Sequence, residues 1–190
     1  VDSQVAVVGA AISAALGLRH NSVKSATAAQ DKHRMRQRFK QAGVSSPQFT
    51  LCSLDEDHAT LAGRVAFPCV VKPLSLSASQ GVIRADDQGQ FIRAVHRLEA
   101  ILEREHGTST ASETSGDGCA QPQARPPAPS RHFLVEHFVG GAEVALEGML
   151  TRGELNVLAL FDKPDPLDGP FFEETIYVTP SRLSTEMQDE

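Results

Sequence analysis

The sequence predicts an α+β fold with a largely antiparallel sheet in its second half, and three features of its patterning lead there. Apolar residues recur at helical spacing early in the chain and again over 86–106. Apolar, β-branched runs fill most of 131–178. Between them, 107–130 holds no Val, Ile, Leu, Met or aromatic residue and four of the eleven prolines, too little apolar surface to offset its ordering entropy. That segment is expected to be a disordered surface insertion.

Taken in order, Asp2 or Ser3 caps a helix through about Leu16, with Val5, Val8, Ile12, Ala15 and Leu16 on one face and Gly17 as its stop. A second helix starts near Asp31, carries Met35, Phe39 and Ala42 at spacings of four and three, and ends at Gly43 and Pro47. Strands are expected at Gln48–Cys52, Phe67–Lys72 and Gly81–Arg84. The stretch "DDQGQFIRAVHRLEAILEREH" is a helix with Phe91, Val95, Leu98 and Leu102 as its buried stripe. Strands return at Arg131–Phe138, Glu143–Leu150, Leu155–Lys163 and Phe171–Val178. From the opening at Val1 and the polar close after "TPSRL", a piece of a larger protein is expected.

Composition removes several function classes. Aromatics are 5% with no Trp, which disfavours a base-stacking surface, and a net charge of −6 disfavours general polyanion binding. No apolar run reaches membrane-spanning length and no signal-peptide pattern is present, so no membrane partner is expected. Cys52, Cys69 and Cys119 show no metal-ligand spacing, and two of them sit in apolar segments, which points to core thiols and a reducing, cytoplasmic setting. The seven histidines show no ligand spacing either.

Chemistry concentrates in three places. In "VVKPLSLSASQGV" an apolar strand delivers Lys72 to a loop of hydroxyls and one glycine. Lys72 is either a snorkelling edge residue or a fixed cation aimed into a cleft. The loop favours the second, because backbone N–H groups in a Ser/Gly turn form an anion-binding concavity and Gly81 allows close approach. In "DKHRMRQRFK" the basic residues point all around a helix, so Arg34, Arg36 and Arg38 are expected to be solvated. Lys32, in the first turn, can share an anion with the helix N-terminus. In "FLVEHFVGGAEVALEGML" a strand presents Glu136, then His137-Phe138-Val139, a Gly-Gly hinge and Glu143. A strand end suits a flat heterocycle and Glu143 could accept ribose hydroxyls, although each glutamate alone is more often an exposed strand charge.

Set side by side, "DKHRMRQRFKQAGVSSPQF", "FPCVVKPLSLSASQGV" and "FLVEHFVGGAEVALEG" resemble, in order and spacing, the ATP-grasp carboxylate–amine ligases. The resemblance covers most of 20–180 apart from the insertion. It implies an ATP-grasp fold in part: residues 1–30 as the last helix of an N-terminal α/β domain and its linker, 31–138 as the small α+β lid subdomain with insertion 107–130, and 139–190 as the start of the larger antiparallel-sheet subdomain. It implies ATP as cofactor, with Lys32 and Lys72 on its phosphates and Lys72 also near the adenine. Ser79, Gln80 and Gly81 would lie in the covering loop, and Glu136 would take the adenine amino group. His137 and Val139 would offer hinge backbone groups and Glu143 would hold the ribose.

The Ser-Gln-Gly loop and "FDKPDPLDGPFFEETIYVTPS" are similar to the branch that joins amino acids into dipeptides, and the Pro/Ala/Ser-rich insertion to its vertebrate members, the carnosine synthases, which join β-alanine to histidine. The partners implied are small-molecule amino acids and ATP, with no nucleic acid and room for a homo-oligomer of the parent protein. Lys163 and Glu174 would border the acceptor amino acid or be ordinary exposed strand residues. Ile176-Tyr177 departs from the Gly-His of bacterial relatives. The family's magnesium ligands and phosphate-steadying arginine are expected beyond Glu190, so no catalytic or metal residue is assigned here. Alternatives are another ATP-grasp ligase, of bacterial dipeptide or biotin-carboxylase type, or a catalytically incomplete nucleotide-binding fragment.

Overall fold

A computed structural model of the chain describes residues 3–111, 130–165, 168–172 and 176–188. The chain divides into two compact units, Val1–Phe138 and Val139–Glu190. Helices and antiparallel sheets are mixed in it, as the sequence predicts.

The first unit holds helices α1 (Ser3–Ala15), α2 (Val23–Gln30), α3 (Lys32–Ala42), α4 (His58–Ala62) and α5 (Gln88–Ala111). Strands β1 (Phe49–Ser53), β2 (Cys69–Pro73), β3 (Ile83–Ala85) and β4 (His132–His137) form one antiparallel sheet in the order β1-β4-β2-β3. β2 pairs on both edges and is buried at every position but Lys72, and that burial is why it is written as a nearly continuous apolar run. Side chains alternate across each strand. Cys69 and Val71 of β2, with Phe133 and Val135 of β4, face the core, where Phe91, Val95 and Leu98 of α5 meet them. Val70, Lys72, Leu134 and Glu136 take the opposite face, over which α3 lies, His33 meeting Phe49 edge-on at 6.0 Å between ring centroids.

Local signals set the helix ends. The Asp31 carboxylate accepts from the Arg34 N–H at 3.0 Å to cap α3, and Gly43 at φ 69° stops it. α2 and α4 carry no apolar stripe and are absent from the sequence expectation. Ser22 caps α2 by accepting from Ser25 N–H, and Asp57 caps α4 by accepting from Thr60 N–H. The periodicity of α1 is present but not its burial: Val5, Val8, Ile12 and Leu16 are all exposed and only Ala10 is buried. α5 runs through Ala111, so the start of the segment expected to be disordered is helical, and 112–129 lies outside the described residues.

In the second unit, β5 (Glu143–Thr151) and β6 (Glu154–Lys163) form a hairpin closed by Arg152 and Gly153 at φ 56° and 87°. Two positive-φ residues match the twist of the strands they join. A bulge lies at Glu147/Gly148, where a Cβ on Gly148 would stand 2.9 Å from the Asn156 carbonyl. Of the strand expected at Phe171–Val178, both Phe171 and Val178 are bridge residues, Val178 pairing with Asp162 on β6, and 173–175 lie outside the described residues. Thr185–Gln188 forms a short α6. No described helix is long and apolar enough to cross a membrane.

Candidate functional site

Lys72 and Glu136 sit on adjacent strands and one face. Lys72 pairs with Leu134 and Glu136 with Val70, which makes the two charged residues diagonal neighbours within reach of a long side chain. The Lys72 Nζ donates to Glu136 Oε2 at 2.6 Å. From α3, Arg36 donates Nη2–H to the same Oε2 at 3.2 Å and Nε–H to Oε1. The Glu136 side chain is 3% exposed against 23% for Lys72, so the carboxylate is interior and the ammonium reaches solvent.

Arg36 corrects the expectation of a solvated basic helix. Arg34 and Arg38 are exposed as expected, but Arg36 is turned inward onto Glu136. The signal was available, because Arg36 lies four residues after Lys32 and therefore on its helical face.

Lys32 completes the cluster. Its backbone N–H donates to the Leu74 carbonyl at 3.0 Å and its Nζ to the Leu76 carbonyl at 2.5 Å, tying the start of α3 to the loop after β2. Its ammonium is pulled below the ordinary lysine value of 10.5, by burial first and then by the neighbouring Lys72, against the attraction of Glu136 and Asp31. Two cations this close favour an anion between them. Burial, the largest influence on Glu136, pushes its carboxyl up. The Arg36 hydrogen bond and the Lys72 ammonium outweigh it and hold the carboxyl below 4.5.

The loop between β2 and β3 is wound tightly. Gln80 N–H donates to the Ser77 carbonyl and Val82 N–H to the Ser79 carbonyl, each at 3.1 Å. Ala78 and Ser79 stand at φ 51° and 55° and Gly81 at φ 69°. Side chains held in this region cost on the order of 1–3 kcal/mol each and mark functional loops. Ser77, Ala78 and Gln80 are exposed and Ser79 is half-buried. With Lys32 and Lys72 alongside, this loop is equipped to hold a polyanion.

The remaining predicted residues are divided between the two units. His137 ends β4 with its ring exposed and its N–H donated to the Gln48 carbonyl at 2.9 Å. Phe138 donates its N–H to the Pro68 carbonyl at 3.0 Å, and its ring lies under the Arg84 guanidinium at 4.0 Å. In the second unit Val139 is exposed, and Glu143 accepts from Lys163 Nζ at 2.5 Å across the hairpin. Lys163 is 9% exposed, also faces the Tyr177 ring, and borders a concavity of about 390 Å³ with Glu143, Asp162 and Arg182. Sequence reading missed Asp162, whose carboxylate accepts from the Ser181 hydroxyl and the Arg182 N–H. Glu174 lies outside the described residues. Among the described residues no group of three His, Cys, Asp or Glu side chains could hold a metal ion.

Comparison with known proteins gives these positions a context. A family model described as an ATP-grasp domain matches residues 65–190. Alanine–anticapsin ligase of Bacillus subtilis (strain 168) is 27% identical over 187 residues, covering 90% of this chain and 35% of its own length. The crystal structure of an L-amino acid ligase from Bacillus licheniformis superposes with a TM-score of 0.68 at 27% identity, covering 94% of this chain and 38% of that one. The biotin carboxylase domain of the Hydrogenobacter thermophilus 2-oxoglutarate carboxylase, solved with MgADP, shares the fold at 13% identity, with a TM-score of 0.63 and coverage of 96% and 36%. The chain spans about a third of the length of each of these proteins.

Proposed function

The chain belongs to the ATP-grasp domain family, and from that premise we propose that it forms the nucleotide-holding part of a ligase that joins two amino acids by an amide bond at the expense of ATP. The carboxylate of one amino acid attacks the γ-phosphorus, giving an acyl phosphate and ADP. The amine of the second attacks that carbonyl, loses a proton, and expels inorganic phosphate. Such chemistry needs charge neutralisation and positioning more than covalent help.

Lys32, whose Nζ donates to the Leu76 carbonyl of the loop, and Lys72, on the strand that enters that loop, carry this reading together with the positive-φ turn. Each lysine supplies a positive charge to phosphate oxygens, and the Ser79-Gln80-Gly81 turn covers them. Glu136 meets the adenine amino group, while the His137 carbonyl and Val139 backbone face the ring edge. Glu143 takes the ribose hydroxyls, and Lys163 with Glu174 borders the acceptor amino acid. Magnesium accompanies ATP in this chemistry, and among the described residues no cluster of three His, Cys, Asp or Glu side chains could hold it.

The two 27% identical relatives carry the names of amino acid ligases, which supports the reaction class. The finer assignment is carnosine synthesis from β-alanine and L-histidine in a reducing cytoplasm. It rests on the Ser-Gln-Gly loop, the 107–130 insertion and the "FDKPDPLDGPFFEETIYVTPS" segment.

Titration with ATP tests the site. Lys72→Ala removes a charge-assisted bond of about 1.5–3 kcal/mol, so affinity should fall about 10- to 100-fold. Equal binding by both proteins would show that Lys72 is not a phosphate ligand. ATP-dependent phosphate release with β-alanine and histidine, compared with other amino-acid pairs, tests the finer assignment.

A further inference from the structure

We propose that Arg36 is a positioning residue of the nucleotide site, keeping the Glu136 carboxylate paired so that Lys72 can leave it for a phosphate oxygen. The inference rests on the nucleotide reading and adds to it a residue which touches no ligand.

The geometry makes the case. Glu136 is almost wholly buried, and such a carboxylate must stay paired. If Lys72 were its one partner, Lys72 would be a structural cation, and any phosphate that drew it away would strand a buried charge. Arg36 removes that conflict. It occupies Oε1 alone and shares Oε2 with Lys72, so Oε2 retains a donor when Lys72 moves. Arginine suits the task, because its planar fork spans both oxygens while lysine offers a single point of charge. Arg36 makes two bonds to the carboxylate and Lys72 one, so Lys72 has the fewer contacts to give up.

The charged groups facing Glu136 are Arg36 and Lys32 from α3 and Lys72 from β2, with Asp31 beside Lys32. β1 presents the uncharged Phe49 opposite. Without Arg36, Lys72 is held on Glu136 until the carboxyl takes up a proton. The defect should therefore shrink as the pH is lowered.

The test measures ATP and inorganic tripolyphosphate binding to the full-length protein from pH 8 down to about pH 4.5, because loss of the Arg36 hydrogen bond lets burial push the Glu136 carboxyl up from below its ordinary value. Tripolyphosphate lacks adenine and so isolates Lys72 from any contact of Glu136 with the base. Arg36→Met should weaken both ligands about tenfold or more at pH 8. The ratio to the unsubstituted protein should approach one at the acid end. Arg36→Lys, which keeps the charge but reaches one oxygen at a time, should recover only part of the loss. Arg36→Met/Glu136→Gln, which leaves no buried carboxylate, should recover tripolyphosphate affinity, and it carries the test if Arg36→Met alone does not fold. A pH-independent ratio, or a double variant as weak as the single one, overturns the proposal. Absence of binding by the unsubstituted protein instead overturns the nucleotide reading on which it rests.

Discussion

Gly81 and Gly43 share a backbone conformation, φ 69° in each, but not an environment, and that pair allows a measured separation of strain from packing. A Cβ at Gly43 meets nothing within 4 Å. A Cβ at Gly81 would stand 2.9 Å from Leu98 Cδ1 and 3.4 Å from two ring carbons of Pro73. Leu98 is fully buried against the core and Pro73 is rigid, so neither can swing aside without disturbing neighbours. Gly43→Ala should therefore cost the left-handed backbone alone, about 1 kcal/mol. Gly81→Ala should add overpacking of about 1–3 kcal/mol, for a total of about 2–4 kcal/mol. With a urea m-value on the order of 2 kcal/mol/M, that total moves the midpoint down by about 1–2 M, and Gly43→Ala by about 0.5 M. Urea unfolding of both variants, followed by far-UV circular dichroism, gives the comparison. Equal losses would show that Gly81 is not pressed against α5, and the anchoring of the loop would have to be abandoned.

Other expectations follow from the same structure. Because the folded Glu136 carboxyl titrates below its ordinary 4.5, its stabilisation is present in full above pH 4.5 and is lost as pH falls through the folded value. Glu136→Gln should be less stable than the unsubstituted protein at pH 7, with the gap closing under acid. A constant gap in urea unfolding from pH 7 to 3 would refute the pairing. Burial pushes the Cys52 and Cys69 thiols up to about 11 and about 12. In a Cys119→Ser background neither should react with a disulfide reagent at pH 8 until denaturant is added, and fast labelling of the native protein would contradict their burial.

What the sequence disclosed and what it withheld divide along physical lines. Phe91, Val95 and Leu98 mark α5 because one helical stripe carries most of its burial, and the apolar run of β2 marks a strand covered on both faces. Asp31 and Gly43 bracket α3 because capping is local chemistry. α2 buries no residue, and α4 is only five residues long, so neither offers a period to detect. Periodicity on α1 identified an apolar face but could not say whether anything covers it, and in the described residues that face is exposed. The segment from Phe171 to Val178 has strand-like composition, but pairing is a property of two segments.

At the candidate site, Lys32, Lys72 and Glu136 were legible because each stands at the end of a recognisable element. For Arg36 the shared helical face with Lys32 marked its side of α3, but its partner, a carboxylate a hundred positions away in the chain, was not marked by any local signal. The pairing of Glu143 with Lys163 is of the same kind, fixed by the register of a hairpin that no single position encodes.

The uneven distribution of buried residues bears on cooperativity. Every fully enclosed side chain among the described residues lies at or before Glu136, while Leu146, Leu150, Leu155 and Leu158 of the hairpin are open to solvent. A two-stranded ribbon covered chiefly along one half of one strand, 159–163, is marginal by itself. Its amide protons therefore exchange through local opening, whereas those of β2 and β4 await disruption of the whole first unit. The chain then has no one unfolding free energy, and the urea midpoints expected for the Gly43, Gly81 and Glu136 variants are those of the first unit. It has a slowly exchanging body, in which Lys72 and Glu136 are held, and a quickly exchanging ribbon carrying Glu143 and Lys163.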